Sequence, residues 1–249
     1  MVVSEDQTQR EKEKQLAAAT ALRWIRDGML LGLGSGSTAA YFINSLGEAV
    51  RNGQLQVQAT ATSHASDALA RKAGIAMLEP RRGLRFDLTV DGADELDPQL
   101  RLIKGGGGAL LREKIIATAS DALLIIADSS KAVPQLGRFP LPLEIVPFAL
   151  PWVLDAMEAL GGAPVLRTDP NDAQTAVQSD QGNLLVDCHF NALPDPAQLA
   201  EHLQRIPGIV EHGLFLGLAR AAVVAREEGV MLLRPGLEPV PAASVSELL

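Results

Sequence analysis

The sequence predicts an α/β protein: a Rossmann-like parallel-sheet domain plus a smaller ferredoxin-like α+β domain. Three features of the 249-residue chain support that reading. Short apolar runs alternate with helical patterns through the first half, as parallel strands and their crossover helices do. Prolines then crowd into RFPLPLEIVPFALP, Arg138 to Pro151, where they break any long helix and mark passage into a second unit. Past that point the patterns follow the order βαββαβ. The expected division is residues 1–137 as the first part of the Rossmann-like domain, 138–216 as the ferredoxin-like domain, and 217–249 as a return to the first domain with a tail.

The elements follow in order. TQREKEKQLAAATALRWIR, Thr8 to Arg26, is alanine-rich with apolar residues on one face and reads as an amphipathic helix. MLLGL, Met29 to Leu33, reads as a strand running into GSGSTAAYFINSL, where glycine and hydroxyl residues open a second helix. The same grammar repeats in LQVQATAT and SHASDALARKAG, in IAMLE, in RFDLTV with its acidic loop, in GALLREKIIATA as a helix, and in ALLIIADSSK as a strand and loop. In the second unit the strands are LPLEIV, APVLR, NLLVDCHF and GIVEHGLF, and the helices WVLDAMEAL and PAQLAEHLQRI. Polar DPNDAQTAVQSDQG, Asp169 to Gly182, reads as a hairpin connection. AAVVAREEGVMLL returns to the first sheet, and the proline-rich RPGLEPVPAASVSELL reads as an extended or frayed end.

Composition narrows the function classes. With 47% hydrophobic and 21% charged residues the chain is globular rather than disordered. A net charge of -8 disfavours nucleic acid and anionic membranes as partners, because an acidic surface repels both at long range. The start, MVVSEDQTQREKEKQ, is charged where a secretory signal needs an apolar run, and nothing approaches the about 18 apolar residues of a membrane span, so a cytoplasmic address is expected. One cysteine, Cys188, excludes an internal disulfide framework, and its place in an alternating strand reads as a small buried hydrophobe. His64, His189, His202 and His212 fall on different elements without metal-ligand spacing, so no metal is expected.

The chemistry collects after the strands. Ligands of an open parallel sheet bind beyond the carboxyl ends of its strands, and four such loops here are polar: Ser35 to Thr38, Thr62 to Ser66, Asp91 to Asp97, and Asp128 to Lys131. GLGSGST, Gly32 to Thr38, puts hydroxyls and free backbone N–H groups at a helix start, which suits a phosphate. It lacks the GK[ST] of a Walker loop. Gly34, Gly36 and Ala39 satisfy the relaxed fingerprint GxGxxA, but LQVQATATS offers no acid for a ribose diol, which argues against a dinucleotide. The same glycines could also serve a tight turn alone.

VDGADELDPQLRLIKGGGGALLREK, Val90 to Lys114, is denser still. Asp91 and Asp94 emerge at the end of a buried strand, Lys104 follows the apolar patch LRLI, Gly105 to Gly108 allow close approach of backbone, and Glu113 sits about a turn into the next helix. That coincidence marks Asp91, Asp94, Lys104 and Glu113 as functional, whereas Glu95 and Asp97 read as solvated turn acids. Spacing alone names no reaction.

The motifs GLGSGSTAAYFI, DGADELD, IKGGGGALLREKI, IADSSK and FPLPLEIVP, in this order, resemble ribose-5-phosphate isomerase of the A type, from about Lys14 to the strand near Leu233. The resemblance implies reversible interconversion of ribose 5-phosphate and ribulose 5-phosphate in the pentose phosphate pathway, with no cofactor, no metal and a sugar phosphate as the small-molecule partner. It also implies a homodimer or homotetramer. By motif position the proton-shuttling glutamate falls on Glu113, the active-site aspartates on Asp91 and Asp94, and the active-site lysine on Lys104. Substrate contacts fall on Lys14, Ser35, Gly36, Ser37, Thr38, Lys131 and, around the acids and lysine, Gly92, Gly105 and Gly106. Ser35 stands where the family often has threonine and keeps the hydroxyl. Asp91 and Asp94 are expected to move hydroxyl protons, including those of ring opening.

Overall fold

A computed structural model describes residues 5–248. Met1 to Ser4, the first residues of the charged start, and Leu249 at the end of the tail lie outside the described residues.

The chain begins with α1 (Glu5–Ala21), which starts earlier and ends sooner than the sequence pattern predicts. It hands over to a 3₁₀ turn, Leu22–Trp24, so that Trp24 and Ile25 drop into the core instead of extending the helix. There follow β1 (Leu30–Leu33), α2 (Ser37–Arg51), β2 (Gln58–Ala61), α3 (His64–Lys72), β3 (Ala76–Met77) and β4 (Leu88–Asp91). Two short strands, β5 (Glu95–Leu96) and β6 (Leu102–Ile103), precede α4 (Leu110–Thr118) and β7 (Leu123–Asp128).

The second unit runs β8 (Leu141–Ile145), α5 (Leu150–Ala159), β9 (Ala163–Leu166), a small hairpin of β10 (Thr168–Asp169) and β11 (Asp172–Ala176), β12 (Leu184–His189), α6 (Pro196–Gln204) and β13 (Ile209–His212). After β14 (Leu214–Phe215), the chain closes with β15 (Ala219–Arg226), β16 (Gly229–Leu233) and β17 (Val240–Pro241).

Among the described residues the large sheet has the order β17-β16-β15-β7-β4-β1-β2-β3. Pairing is parallel from β15 to β3 and antiparallel at β16 and β17, so the sheet is mixed at one edge. Alternation along β7 explains its wholly apolar run before Asp128: Leu124 and Ile126 face the cluster beneath α1 and α2, while Leu123, Ile125 and Ala127 face a second cluster with Leu102 and Phe215. The antiparallel sheet β13-β8-β12-β9 has the ferredoxin-like order and its own core around Leu143, Val153, Val186 and Leu203.

Two sequence expectations need correction. GIVEHGLF does not form one strand: the chain leaves the ferredoxin-like sheet at His212, turns at Gly213, and joins β6 as β14. Gly213 is what permits the switch, because a Cβ there would collide with the Lys104 carbonyl, whose own N–H donates to Gly213 O at 2.9 Å. The proline-rich tail is not frayed through the described residues. Val240 and Pro241 pair with β16, Ala242 is buried, and Arg23 donates to the carbonyls of Ala242 and Ala243.

Candidate active site

Strand order reverses on either side of β1: β2 and β3 go one way, and β4, β7 and β15 the other. The carboxyl ends of β1 and β4 therefore flank a crevice, the place where an open α/β sheet binds ligands. Ser35 follows β1, and Asp91 ends β4.

The serine loop is built for close approach. A Cβ at Gly34 would fall onto the Asp91 carboxylate, so only glycine lets the two strand ends meet. Gly36 has φ 89°, a conformation glycine adopts without strain, and it starts α2 with the first-turn amides directed out of the helix. Ser35 Oγ lies 2.7 Å from Thr62 Oγ1, and Ser66 Oγ donates to Gly34 O at 2.8 Å, so the polar loop after β2 braces the one after β1.

Two lysines reach the same place from distant elements. Glu13 on α1 accepts the N–H and the hydroxyl of Ser129 at 2.9 and 2.7 Å, which ties α1 to the turn bearing Lys131. Lys14, next along α1, shares a cavity of about 110 Å³ with Lys131, Ser35, Gly36, Ser37, Thr38, Gly92, Asp94, Lys104, Gly105 and Glu113. Lys14 rests on Glu11 at 2.6 Å, and Glu11 also accepts the Tyr41 hydroxyl at 2.7 Å.

The other end of the cavity is enclosed. Lys104 is 2% exposed, with Nζ 2.6 Å from Gly92 O, 2.9 Å from Asp91 Oδ2 and 3.3 Å from Glu113 Oε2. Burial opposes its charge, but Asp91 and Glu113 override that cost and hold the ammonium above its ordinary range. Glu113 goes the other way. Desolvation, with Asp91 and Asp94 adding repulsion, pushes its carboxyl up to about 8 despite Lys104. Burial likewise raises Asp91, against Lys104 and the N–H groups of Gly92 and Ser35. Beneath the lysine lies Phe215, its ring centroid 5.5 Å from Lys104 Nζ on a strand that sequence reasoning placed in the other sheet.

All but two of the site residues read from the sequence line that one cavity, and the two that do not are Asp91 and Gly106. Asp91, expected to move hydroxyl protons beside Asp94, is 1% exposed and lies behind Lys104, with Oδ1 taken by the N–H groups of Ser35 and Gly92. The Gly106 N–H is likewise engaged, donating to Asp94 Oδ2 at 2.7 Å. Asp94 itself is half-buried on the cavity wall.

Glu95 and Asp97 are not solvated turn acids. Glu95 is fully buried and accepts the N–H groups of Gly137 and Phe139 at 2.8 and 2.7 Å. Asp97 is 1% exposed and accepts the N–H groups of Gln99 and Arg101 and the Arg101 guanidinium. Backbone donors supplied by the fold make such burial tolerable. Cys188 is buried as expected, and burial pushes its thiol up to about 12.

Sequence reasoning missed Glu11, Glu13, Phe215 and Arg167, whose guanidinium donates to the Gly105 and Gly106 carbonyls. Only Glu11 left a local trace, three residues before Lys14 on the same helix, the spacing at which helix side chains pair.

Comparison with known proteins gives the family and the fold. The sequence profile of the family described as ribose 5-phosphate isomerase A (phosphoriboisomerase A) matches residues 58–229. A ribose-5-phosphate isomerase A of Rhodopseudomonas palustris (strain BisB5) is 49% identical over 225 residues, covering 89% of this chain and 97% of its own. The solved ribose 5-phosphate isomerase A of Methanocaldococcus jannaschii superposes with a TM-score of 0.85 at 36% identity, over 90% of this chain and 99% of that one. A D-ribose-5-phosphate isomerase solved in complex with phospho-erythronic acid gives 0.87 at 36% identity, with the same coverage of 90% and 99%. Among the described residues, no helix is long and apolar enough to cross a membrane.

Proposed function

The chain belongs to the ribose 5-phosphate isomerase A family, and from that premise we propose that it interconverts ribose 5-phosphate and ribulose 5-phosphate through an enediolate, with Glu113 as the proton carrier. The observation that supports this most directly is the position of Glu113: a buried carboxyl on the wall of the cavity that also holds the serine loop, 3.3 Å from a buried ammonium.

The reaction divides into tasks that match the two ends of the cavity. The substrate's phosphate sits between Lys14 and Lys131 against the serine loop and the start of α2, where cations, hydroxyls and free amides meet. Anchoring there brings the reacting carbons to Glu113 and converts an encounter into an oriented step. Glu113, ionised, takes the proton from C2 of the open-chain aldose and returns it to C1. The enediolate charge grows on the oxygens of those carbons, where Lys104 stabilises it without reorganisation.

Asp94, on the cavity wall, moves the hydroxyl protons of ring opening and of the enediolate. Asp91 acts through Lys104, fixing its ammonium and keeping it charged. The named ligand of one relative, phospho-erythronic acid, carries a phosphate and a carboxylate; this cavity offers cations at both ends.

The test uses purified protein and ribose 5-phosphate in heavy water. Ribulose 5-phosphate carrying solvent deuterium is the expected product, and Glu113→Gln should bind inorganic phosphate normally while losing at least roughly a hundredfold in kcat, the low end of general-base contributions. Near-normal turnover by Glu113→Gln would remove it from this role.

A further inference from the structure

Arg167 follows β9 in the ferredoxin-like unit and lines a cavity next to the one that holds Glu113, the two sharing Ser35, Gly36, Ser37 and Gly107. One edge of its guanidinium is fixed by Asp187 on β12, with Nε 2.9 Å from Oδ2 and Nη2 2.5 Å from Oδ1. The rest faces the glycine run: Nη1 donates to Gly106 O at 3.1 Å and to Gly105 O at 3.4 Å, and Nη2 to Gly105 O at 3.4 Å. On the opposite side of the same turn, the Gly106 N–H donates to Asp94 Oδ2 at 2.7 Å.

The Gly105 carbonyl and the Gly106 N–H belong to one planar peptide group. That group therefore has a guanidinium at its oxygen and a carboxylate at its nitrogen, and it cannot rotate without losing both charge-assisted bonds. Each bond also polarises the peptide in the sense that strengthens the other. The approach is close as well, since a Cβ at Gly106 would stand 2.7 Å from the Asp94 carboxylate.

We propose that Arg167 is a positioning residue for the isomerase reaction: clamped by Asp187, it holds the Gly105–Gly106 peptide, and that peptide fixes the Asp94 carboxylate at the cavity. The clamp spans two carbonyls and a carboxylate at once, which a planar fork can do and the point charge of lysine cannot. It also gives the ferredoxin-like unit a part in positioning the chemistry. The inference rests on the reading that Asp94 moves hydroxyl protons of the substrate.

Arg167→Met, Arg167→Lys and Asp187→Asn should lower kcat by about tenfold to a hundredfold, the scale of a small misplacement of a reacting group, with Asp187→Asn the mildest. KM for ribose 5-phosphate and the inhibition constant for inorganic phosphate should stay within about threefold, because the guanidinium bonds to Asp187, Gly105 and Gly106 and not to Ser35, Gly36 or Ser37, which line the cavity next to it. Arg167 also lines a neighbouring cavity of about 410 Å³, which gives a small solute access. Millimolar guanidinium should therefore restore part of the kcat of Arg167→Gly.

Unchanged kcat in these variants, a parallel loss of phosphate affinity, or an Arg167→Gly protein that guanidinium does not rescue would overturn the proposal. Asp187→Asn leaves the arginine in place and decides the matter should Arg167→Met fail to fold. Asp94→Asn separates the two readings: if it is fully active, the role of Asp94 fails, whereas an inactive Asp94→Asn beside a fully active Arg167→Met defeats only the clamp.

Discussion

The two ends of the cavity use the same residue types in opposite surroundings. At the proposed phosphate end Lys14 and Lys131 are half-buried, Gly36 and Ser37 are exposed, and Lys14 pairs with Glu11. At the other end Lys104, Asp91 and Glu113 are almost wholly enclosed and share one positive charge among two carboxyls in direct reach. Water decides the difference. Groups that hold a solvated anion can stay near it, while a group that must take a proton from carbon gains basicity by losing it. The fold supplies both within one crevice because α1 and the loops after β1 and β7 approach from the rim, while Lys104 and Glu113 flank the four-glycine run beneath it.

The largest expected effect comes from removing the enclosed cation. Lys104→Met should cost about 3–5 kcal/mol of stability at alkaline pH, where Asp91 and Glu113 would be left buried and charged, and less at acid pH, where they take up protons. Denaturant titrations at two pH values measure this, and the same variant should lose roughly a thousandfold in kcat. A pH-independent stability loss would show that the enclosed end is not electrostatically distinct.

A second effect follows from the raised Glu113. The proposed proton abstraction needs the carboxylate, so kcat/KM should climb from roughly pH 6 to about 8, the value to which burial pushes this group. Stability should move oppositely. Between its ordinary 4.5 and about 8 the folded protein holds a proton that the unfolded chain releases, so this residue's contribution falls as pH rises through that window. Glu113→Gln should therefore gain in Tm over the parent as pH rises, and a constant difference would contradict the assignment.

The rim should respond more gently. Lys14→Ala is expected to raise KM about tenfold with kcat within about threefold, as loss of one charge-assisted contact does, and to flatten the salt dependence of KM. Glu11→Gln, which releases Lys14 from its 2.6 Å pair, should lower KM slightly. Steady-state kinetics at low and high salt distinguish these from an effect on chemistry.

Much of this was legible along the chain. Strand and helix patterns located α2, α3, α4 and the ferredoxin-like elements, and the polar loops after β1, β2, β4 and β7 are the ones that meet. The failures share one cause. Glu95 looks like a turn acid because nothing nearby in the chain announces that Gly137 and Phe139 will bring N–H groups to it; Asp97 differs only in that its donors, Gln99 and Arg101, are close in sequence while the packing that buries the turn is not. GIVEHGLF has one apolar pattern, yet Lys104 and Pro142 draw its halves into different sheets. Arg167 ends an ordinary strand pattern and acquires meaning only against a glycine run far upstream.

By itself the sequence determined that acids, a lysine, hydroxyls and glycines lie just past strand ends, because periodicity and glycine placement are local properties of the chain, while their proton and phosphate roles came from the resemblance of its motifs to a family. Tertiary structure alone decided which of them are enclosed. Burial, and with it the basicity of Glu113 and the withdrawal of Asp91 behind Lys104, depends on what packs over each group, and those neighbours arrive from across the fold.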